Sequence, residues 1–271
     1  MNFSGINRHT PAGHILRSIL HALPPDLEVR VLQGRMRGAR WIVGAGVHGY
    51  WLGSYEWEKR RLFEATLKPG DVVYDIGANV GFYTILASLL VGPHGRVLAF
   101  EPLSRNLAFL KRHVTLNHAS NVTVYEAAVS DSSGSSLFDS RGDPSMGRVH
   151  EAGNICVATV KLDELLESQS LPPPDLIKMD IEGGELRALR GAAGLLRLHR
   201  PSILLATHGR VQRADCCDFL TDLGYDLQPL VSDRQLRDVD ELVAISSSKR
   251  VRRDDSPPTS AALPTFGQRQ P

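Results

Sequence analysis

Residues 71–84 read D-V-V-Y-D-I-G-A-N-V-G-F-Y-T: a short apolar strand, a turn with glycines at 77 and 81, then the start of an apolar helix. A second apolar run, R-V-L-A-F-E, ends in Glu101, twenty residues after Gly81. A strand, a glycine turn, a helix and then an acid at the end of the next strand make up a nucleoside crevice in a doubly wound, Rossmann-like α/β sheet. In that layout Gly77 supplies a positive φ and Gly81 lets the helix pack close to its strand. Glu101 can accept two hydrogen bonds from a ribose diol. The competing reading is an ordinary strand-to-helix turn whose glycines serve packing alone.

The residues of the turn narrow the ligand. Dinucleotide sites carry a G-x-G-x-x-G turn that holds a pyrophosphate on helix-end N–H groups. Here an acid, Asp75, precedes the first glycine, and Asn79 stands at the middle one. A carboxylate would repel a pyrophosphate and suit a ligand with a cationic amino group and a sulfonium. S-adenosylmethionine has both and no phosphate. Asp75, Gly77, Ala78, Asn79, Gly81 and Glu101 are therefore the cofactor-binding candidates of this half. A nicotinamide-dependent oxidoreductase is the alternative enzyme, opposed by Asp75, Asn79 and Phe82. A non-catalytic nucleoside-binding protein is the other alternative.

Further blocks stand in order along the chain: G-Y-W-L-G-S-Y-E over 49–56, V-L-A-F-E-P-L-S-R-N over 97–106, E-A-A-V-S-D over 126–131 and I-K-M-D-I-E-G-G-E-L-R-A-L-R-G-A over 177–192. With the glycine turn, this series resembles the FkbM-type S-adenosylmethionine-dependent methyltransferases. The resemblance spans about 49–192. It implies a seven-stranded class I methyltransferase architecture and methyl transfer to a hydroxyl of a sugar or secondary metabolite, so that the partner is a small-molecule or glycan acceptor. It also implies that Glu56 lies near the cofactor and that the Glu126–Ala127 corner meets the adenine ring; Asp180, which ends the fourth strand, can face the methionine end of the cofactor or the acceptor hydroxyl.

Alternating apolar and amphipathic runs predict strands over 71–76, 96–101, 122–126, 175–180 and 201–207. Helices are expected over 81–91, 103–117, 184–198 and 211–223, giving a parallel sheet with right-handed crossovers. Segments 136–139 and 155–160 can pair as an inserted hairpin, and 225–231 and 241–246 can close the sheet with an antiparallel strand. Three units follow: a small N-terminal extension of one helix (12–23) and β-structure over 1–55, a methyltransferase domain over 56–248, and a disordered tail over 249–271. The tail is rich in Pro and Ser and poor in apolar residues.

A net charge of +1 gives no electrostatic case for nucleic acid. The apolar runs are strand-sized, too short to cross a bilayer, so a cytoplasmic enzyme is expected. Three cysteines give neither a disulfide framework nor a zinc spacing. Oligomeric state is not legible.

Moving a methyl group to an alcohol requires removal of the hydroxyl proton. Ligands of open α/β sheets bind beyond the carboxyl ends of the strands. Asp180 and Glu182 follow the fourth core strand and His208 follows the fifth, which makes these three the catalytic candidates, with His208 as the base. A divalent ion on the same three residues is an alternative, but no compact metal motif supports it and no metal site is assigned. Glu182 and Glu185 also suit the start of the next helix, where carboxylates are favoured. Ala206 and Thr207 precede His208 where the family often has a Glu, so an acid-assisted histidine is not expected. The aromatic cluster His48, Tyr50, Trp51, Tyr55 and Trp57 can stack on a sugar or flat acceptor or pack the extension against the core, and for Trp51 and Trp57 packing is the expectation.

Overall fold

A computed structural model describes residues 18, 20, 22–141, 148–149, 153–169, 171–230 and 235–246. The expected 249–271 tail lies outside them, as does most of the expected 12–23 helix.

The chain begins with a two-stranded antiparallel ladder, β1 (Glu28–Arg30) and β2 (Arg40–Ile42), followed by α1 (Gly49–Leu52) and α2 (Trp57–Thr66). Strand and helix then alternate through β3 (Val72–Ile76), α3 (Phe82–Val91), β4 (Arg96–Phe100), α4 (Ser104–Leu116) and β5 (Val122–Tyr125). An excursion follows, made of β6 (Ala128–Val129), β7 (Gly134–Asp139), β8 (Arg148–Val149), β9 (Ile155–Val160) and α5 (Leu162–Gln169). The core resumes with β10 (Leu176–Met179), α6 (Glu185–Gly191), α7 (Ala193–His199), β11 (Ser202–Ala206), α8 (Arg210–Asp222), β12 (Tyr225–Pro229) and β13 (Glu241–Ser246).

The main sheet has seven strands in the order β12-β13-β11-β10-β3-β4-β5. β13 runs antiparallel to both its neighbours, and the other pairings are parallel. This is the class I methyltransferase sheet, with the antiparallel closure expected from the sequence. Successive side chains on a strand point to opposite faces, and two cores result. Val73, Leu176, Leu204 and Val243 join α3 and the N-terminal extension on one face. Tyr74, Ile76, Ile177, Met179, Ile203 and Leu205 join the α6–α8 layer on the other. Helix α3 is apolar almost all round because it is sandwiched between the sheet and the extension, with eight of its ten residues buried.

The expected single helix over 184–198 is two helices. Ala192 between them has φ −113° and ψ 12°, outside helical values. Gly191 rests on the β6 end, where a Cβ would stand 2.0 Å from the Ser130 carbonyl oxygen. The Asp163 carboxylate of α5 then accepts the Gly194 and Leu195 N–H groups at 2.9 and 2.8 Å, starting α7 anew. The expected hairpin forms between β7 and β9, and β6 and β8 widen it to four strands. Helices α2 and α5 were not anticipated. Among the described residues no helix is long and apolar enough to cross a membrane.

The extension is keyed to the core by His113 of α4. Its ring stacks on Trp41 at 3.7 Å. Its Nε2 accepts the Ile42 N–H at 3.2 Å, so the proton is on Nδ1, which donates to the Val80 carbonyl at 2.7 Å. Burial lowers its pKa from 6.5 to about 4. The unfolded chain takes up this proton as pH falls through 6.5, whereas the folded ring stays neutral until about 4. The native state binds fewer protons across that window, so acidification costs stability there, by about 3 kcal/mol in full. Urea midpoints at pH 7.5 and pH 4.5 should differ less in His113→Gln than in the wild type. An equal loss in both proteins would show that His113 does not carry the effect.

Candidate active site

A cleft of about 1470 Å³ opens at the carboxyl ends of β3, β4, β10 and β11, where such sheets bind ligands. Its floor is the turn after β3, in which Gly77, Asn79 and Gly81 have φ of 76°, 51° and 94°. Gly77 is required by the neighbouring strand end, because a Cβ there would lie 2.0 Å from the Asp180 carbonyl oxygen. At Gly81 a Cβ would lie 2.6 Å from Leu110 of α4, the tight helix packing expected of this glycine.

Glu101 braces the turn. One carboxylate oxygen accepts the Asn79 N–H at 2.9 Å, and the other accepts the Leu103 N–H at 3.0 Å and the Asn106 amide at 3.2 Å. Burial pushes its carboxyl pKa up, against the lowering effect of these donors. It still lines the cleft, together with Ala78, Asn79 and Ala127.

Two sequence expectations need correction. Asp75 has no exposed surface and is not part of the cleft wall. Thr84 Oγ1 donates to it at 2.6 Å, and Lys178 Nζ lies 3.3 Å away while donating to the Gly77 carbonyl at 2.8 Å. Its charge is matched inside the protein, beneath the turn. Glu126 turns outward to Lys111 at 2.6 Å, with both side chains at least half exposed. The cleft wall at that corner is Ala127, Ala128 and Val129. The ion pair with Lys111 of α4 holds Glu126 outward.

Across the cleft lies an acidic corner centred on Lys59 of α2. This buried ammonium sits 3.3 Å from Glu56, 3.1 Å from Asp180 and 2.7 Å from Glu241. Burial alone would depress its pKa, but the three carboxylates drive it upward. Tyr83 donates to Glu56 at 2.8 Å. Asp180 is held at about 2, because Lys178 and Lys59 outweigh the opposing effect of burial. Sequence reasoning missed Lys59 and Glu241. Nothing in the spacing of a lone lysine upstream of the glycine turn marks it.

The third sequence candidate, His208, follows β11 and meets the other two. Its Nε2 lies 3.3 Å from Glu182 and 3.7 Å from Asp180. Its Nδ1 lies 2.8 Å from Glu185, so the acid-assisted pair that the residues before His208 argued against does exist, with its acid supplied by α6. The hydrogen bond to Glu185 is the main reason the histidine pKa is raised, with Glu182 and Asp180 adding to it and burial opposing. Glu182 adopts φ 57°, which bends the chain so that its carboxylate joins the group. Asp180, Glu182 and His208 offer ligand atoms within 4.8 Å of one another, a span that would admit a divalent cation.

Residues 75–227, more than half of the chain, match the model of the methyltransferase FkbM domain. The chain belongs to the FkbM methyltransferase family. It is 27% identical over 164 residues to the hexuronic acid methyltransferase AglP of Haloferax volcanii, covering 60% of this chain and 66% of that protein. It is 27% identical over 159 residues to the 31-O-demethyl-FK506 methyltransferase FkbM of Streptomyces tacrolimicus, covering 46% of this chain and 60% of that protein. The match thus spans less than two thirds of either relative's length. The crystal structure of an FkbM methyltransferase from Methylobacillus flagellatus is 20% identical, with a TM-score of 0.46, over 69% of this chain and 50% of that one. Glu56 and Lys59 lie outside the matched family segment, although they line the same cleft.

Lys59→Met would leave Glu56, Asp180 and Glu241 facing one another without a counter-ion. Removing one partner of a buried ionic group costs about 3–5 kcal/mol. Chemical denaturation of Lys59→Met should show a loss of that order. A loss below about 1 kcal/mol, the worth of a surface pair, would show that water already screens the three carboxylates.

Proposed function

We propose that the chain is an S-adenosylmethionine-dependent O-methyltransferase acting on a hydroxyl of a sugar or secondary metabolite. The supporting observation is the pairing of Glu101 beside the glycine turn with the Asp180–Glu182–His208 group facing it across one cleft. The donor set suits a cationic nucleoside. Glu56, Glu101, Asp180, Glu182 and Glu241 line the cleft. Those acids oppose a pyrophosphate, which disfavours the nicotinamide reading. The two relatives, a hexuronic acid methyltransferase and a 31-O-demethyl-FK506 methyltransferase, support a sugar or secondary-metabolite acceptor.

When bound, S-adenosylmethionine supplies a methyl group: the acceptor oxygen attacks its carbon, the C–S bond breaks with its electrons going to sulfur, and S-adenosylhomocysteine remains. In this reading Glu101 accepts a hydroxyl of the ribose diol through the lone pair on Oε2 that its three N–H donors leave free. Ala127 leaves room for the adenine, and Asn79 and Ala78 keep the backbone close to the nucleoside. Glu56 and Asp180 face the amino end of the methionine. His208 Nε2 takes the acceptor's hydroxyl proton and passes it to solvent, with Glu182 and Asp180 stabilising the imidazolium. Holding the reactants near attack geometry can supply about 7–11 kcal/mol of the barrier. The base adds about 10²–10⁴-fold.

Calorimetry of the full chain should show binding of S-adenosylhomocysteine and none of NAD. Glu101→Gln keeps the shape and removes the charge, and charge-assisted hydrogen bonds are worth about 1.5–3 kcal/mol. The variant should therefore bind S-adenosylhomocysteine about 10–100-fold more weakly and also melt lower, because its amide nitrogen must face a donor that the carboxylate now accepts. Unaltered affinity would remove the ribose assignment.

His208→Ala should lower turnover on a hydroxyl acceptor about 10²–10⁴-fold while S-adenosylhomocysteine affinity holds. The spacing of Asp180, Glu182 and His208 also favours a metal-assisted variant of the same chemistry. Activity abolished by chelator and restored by Mg²⁺ would establish that variant in place of the imidazole base.

A further inference from the structure

The two ring nitrogens of His208 have different surroundings. Nδ1 lies 2.8 Å from Glu185 Oε1. An ionised carboxylate only accepts, so the ring proton sits on Nδ1. Nε2 faces Glu182 and Asp180 at the cleft. With the ring neutral, this aims a lone pair toward two carboxylates. A ring free to turn would instead place an N–H there.

Glu185 is what stops it turning. It is the first residue of α6 and has no exposed surface. Its Oε1 also accepts the Gly183 N–H at 2.9 Å, and its Oε2 accepts Gln212 Nε2 from α8 at 3.1 Å. The same Gln212 nitrogen donates to the Gly183 carbonyl at 2.9 Å. Both amide hydrogens are therefore in use, and the amide cannot swivel. A carboxylate that merely capped α6 would need the Gly183 N–H and nothing more. This one is buried against an imidazole and braced from a second helix, an arrangement that orients a histidine and settles its tautomer.

We propose that Glu185, braced by Gln212, is a positioning residue that fixes His208 as the Nδ1–H tautomer and presents Nε2 to the acceptor hydroxyl. The proposal deepens the methyltransferase reading and rests on its assignment of His208 as the base. When Nε2 takes the hydroxyl proton, the ring becomes an imidazolium with Glu185 already hydrogen-bonded behind it. No atom has to move to stabilise that charge. Glu185 touches neither the acceptor nor the nucleoside in this arrangement and acts through His208.

The test is the ring state of His208, read from long-range ¹H–¹⁵N spectra of the ¹⁵N-labelled full chain. Spectra are taken in alkaline buffer, where the ring is neutral, with and without S-adenosylhomocysteine. The wild type should show a protonated Nδ1 and a bare Nε2. Glu185→Gln should populate the other tautomer and melt lower, since its amide nitrogen meets a donor that the carboxylate accepted, while its S-adenosylhomocysteine affinity stays close to wild type. Gln212→Ala should shift the tautomer in the same direction by less, and it carries the test if Glu185→Gln does not fold. A bare Nδ1 in the wild type overturns the proposal. An unchanged ring state in Glu185→Gln overturns it too, as does a folded Glu185→Gln that no longer binds S-adenosylhomocysteine. A wild-type chain with the expected ring state but no affinity for S-adenosylhomocysteine supports the positioning role and overturns the methyltransferase reading, so the two fail separately.

Discussion

Two strand ends touch backbone to backbone, and the site is arranged around that contact. Gly77 at the end of β3 sits so close to the Asp180 carbonyl that no side chain fits between them. Lys178 of β10 clasps the pair from below, donating to the Gly77 carbonyl and facing the buried Asp75. The turn that would carry the nucleoside and the loop that carries Asp180 and Glu182 are thereby tied to each other. A shift of either would move both halves of the cleft. Positioning of reactants is worth more to methyl transfer than any single charged group, so a rigid link between the two halves is where this fold concentrates its precision.

Charge is the second constraint. The cleft gathers Glu56, Glu101, Asp180, Glu182 and Glu241, and like charges at such separations repel strongly unless matched. The protein matches some of them internally. Lys59 serves three carboxylates, backbone and amide donors serve Glu101, and the Glu182 side is left to His208. The remaining negative potential faces the cleft, where a sulfonium nucleoside would enter. Asp75 contributes less to it than its place in the sequence suggests, because Lys178 neutralises it in the interior.

The fold was largely legible, since strand alternation and the glycine turn are local signals and each strand's two faces are written at period two. The placement of Glu101, Asp180, Glu182 and His208 on one cleft was also legible, because each stands at a strand's carboxyl end and the topology brings those ends together. What failed was long-range. Asp75 reads as a ligand-facing acid until Lys178, more than a hundred residues away, is seen beside it. Glu126 reads as a cleft residue until Lys111 is seen holding it outward. The partner of His208 was sought among its sequence neighbours and came from another helix. The break at Ala192 depends on Ser130 and Asp163, neither of which leaves a trace in the local pattern of the helix.

Lys59 shows why the N-terminal part cannot be treated as decoration. It lies upstream of the segment that the family model matches, yet its ammonium is the shared counter-ion of the residue that precedes its own helix, one from the β10 loop and one from β13. An ion bound by three elements resists the separation of any two of them. The same extension is pinned a second time, through Trp41 and Ile42 on His113, to the helix that follows the Glu101 strand. Tyr50, Tyr55 and Phe82 pack against one another and line the cleft. Tyr50 and Tyr55, upstream of the matched segment, thus share one aromatic wall of the cleft with Phe82 inside it, so the family segment does not build that wall alone.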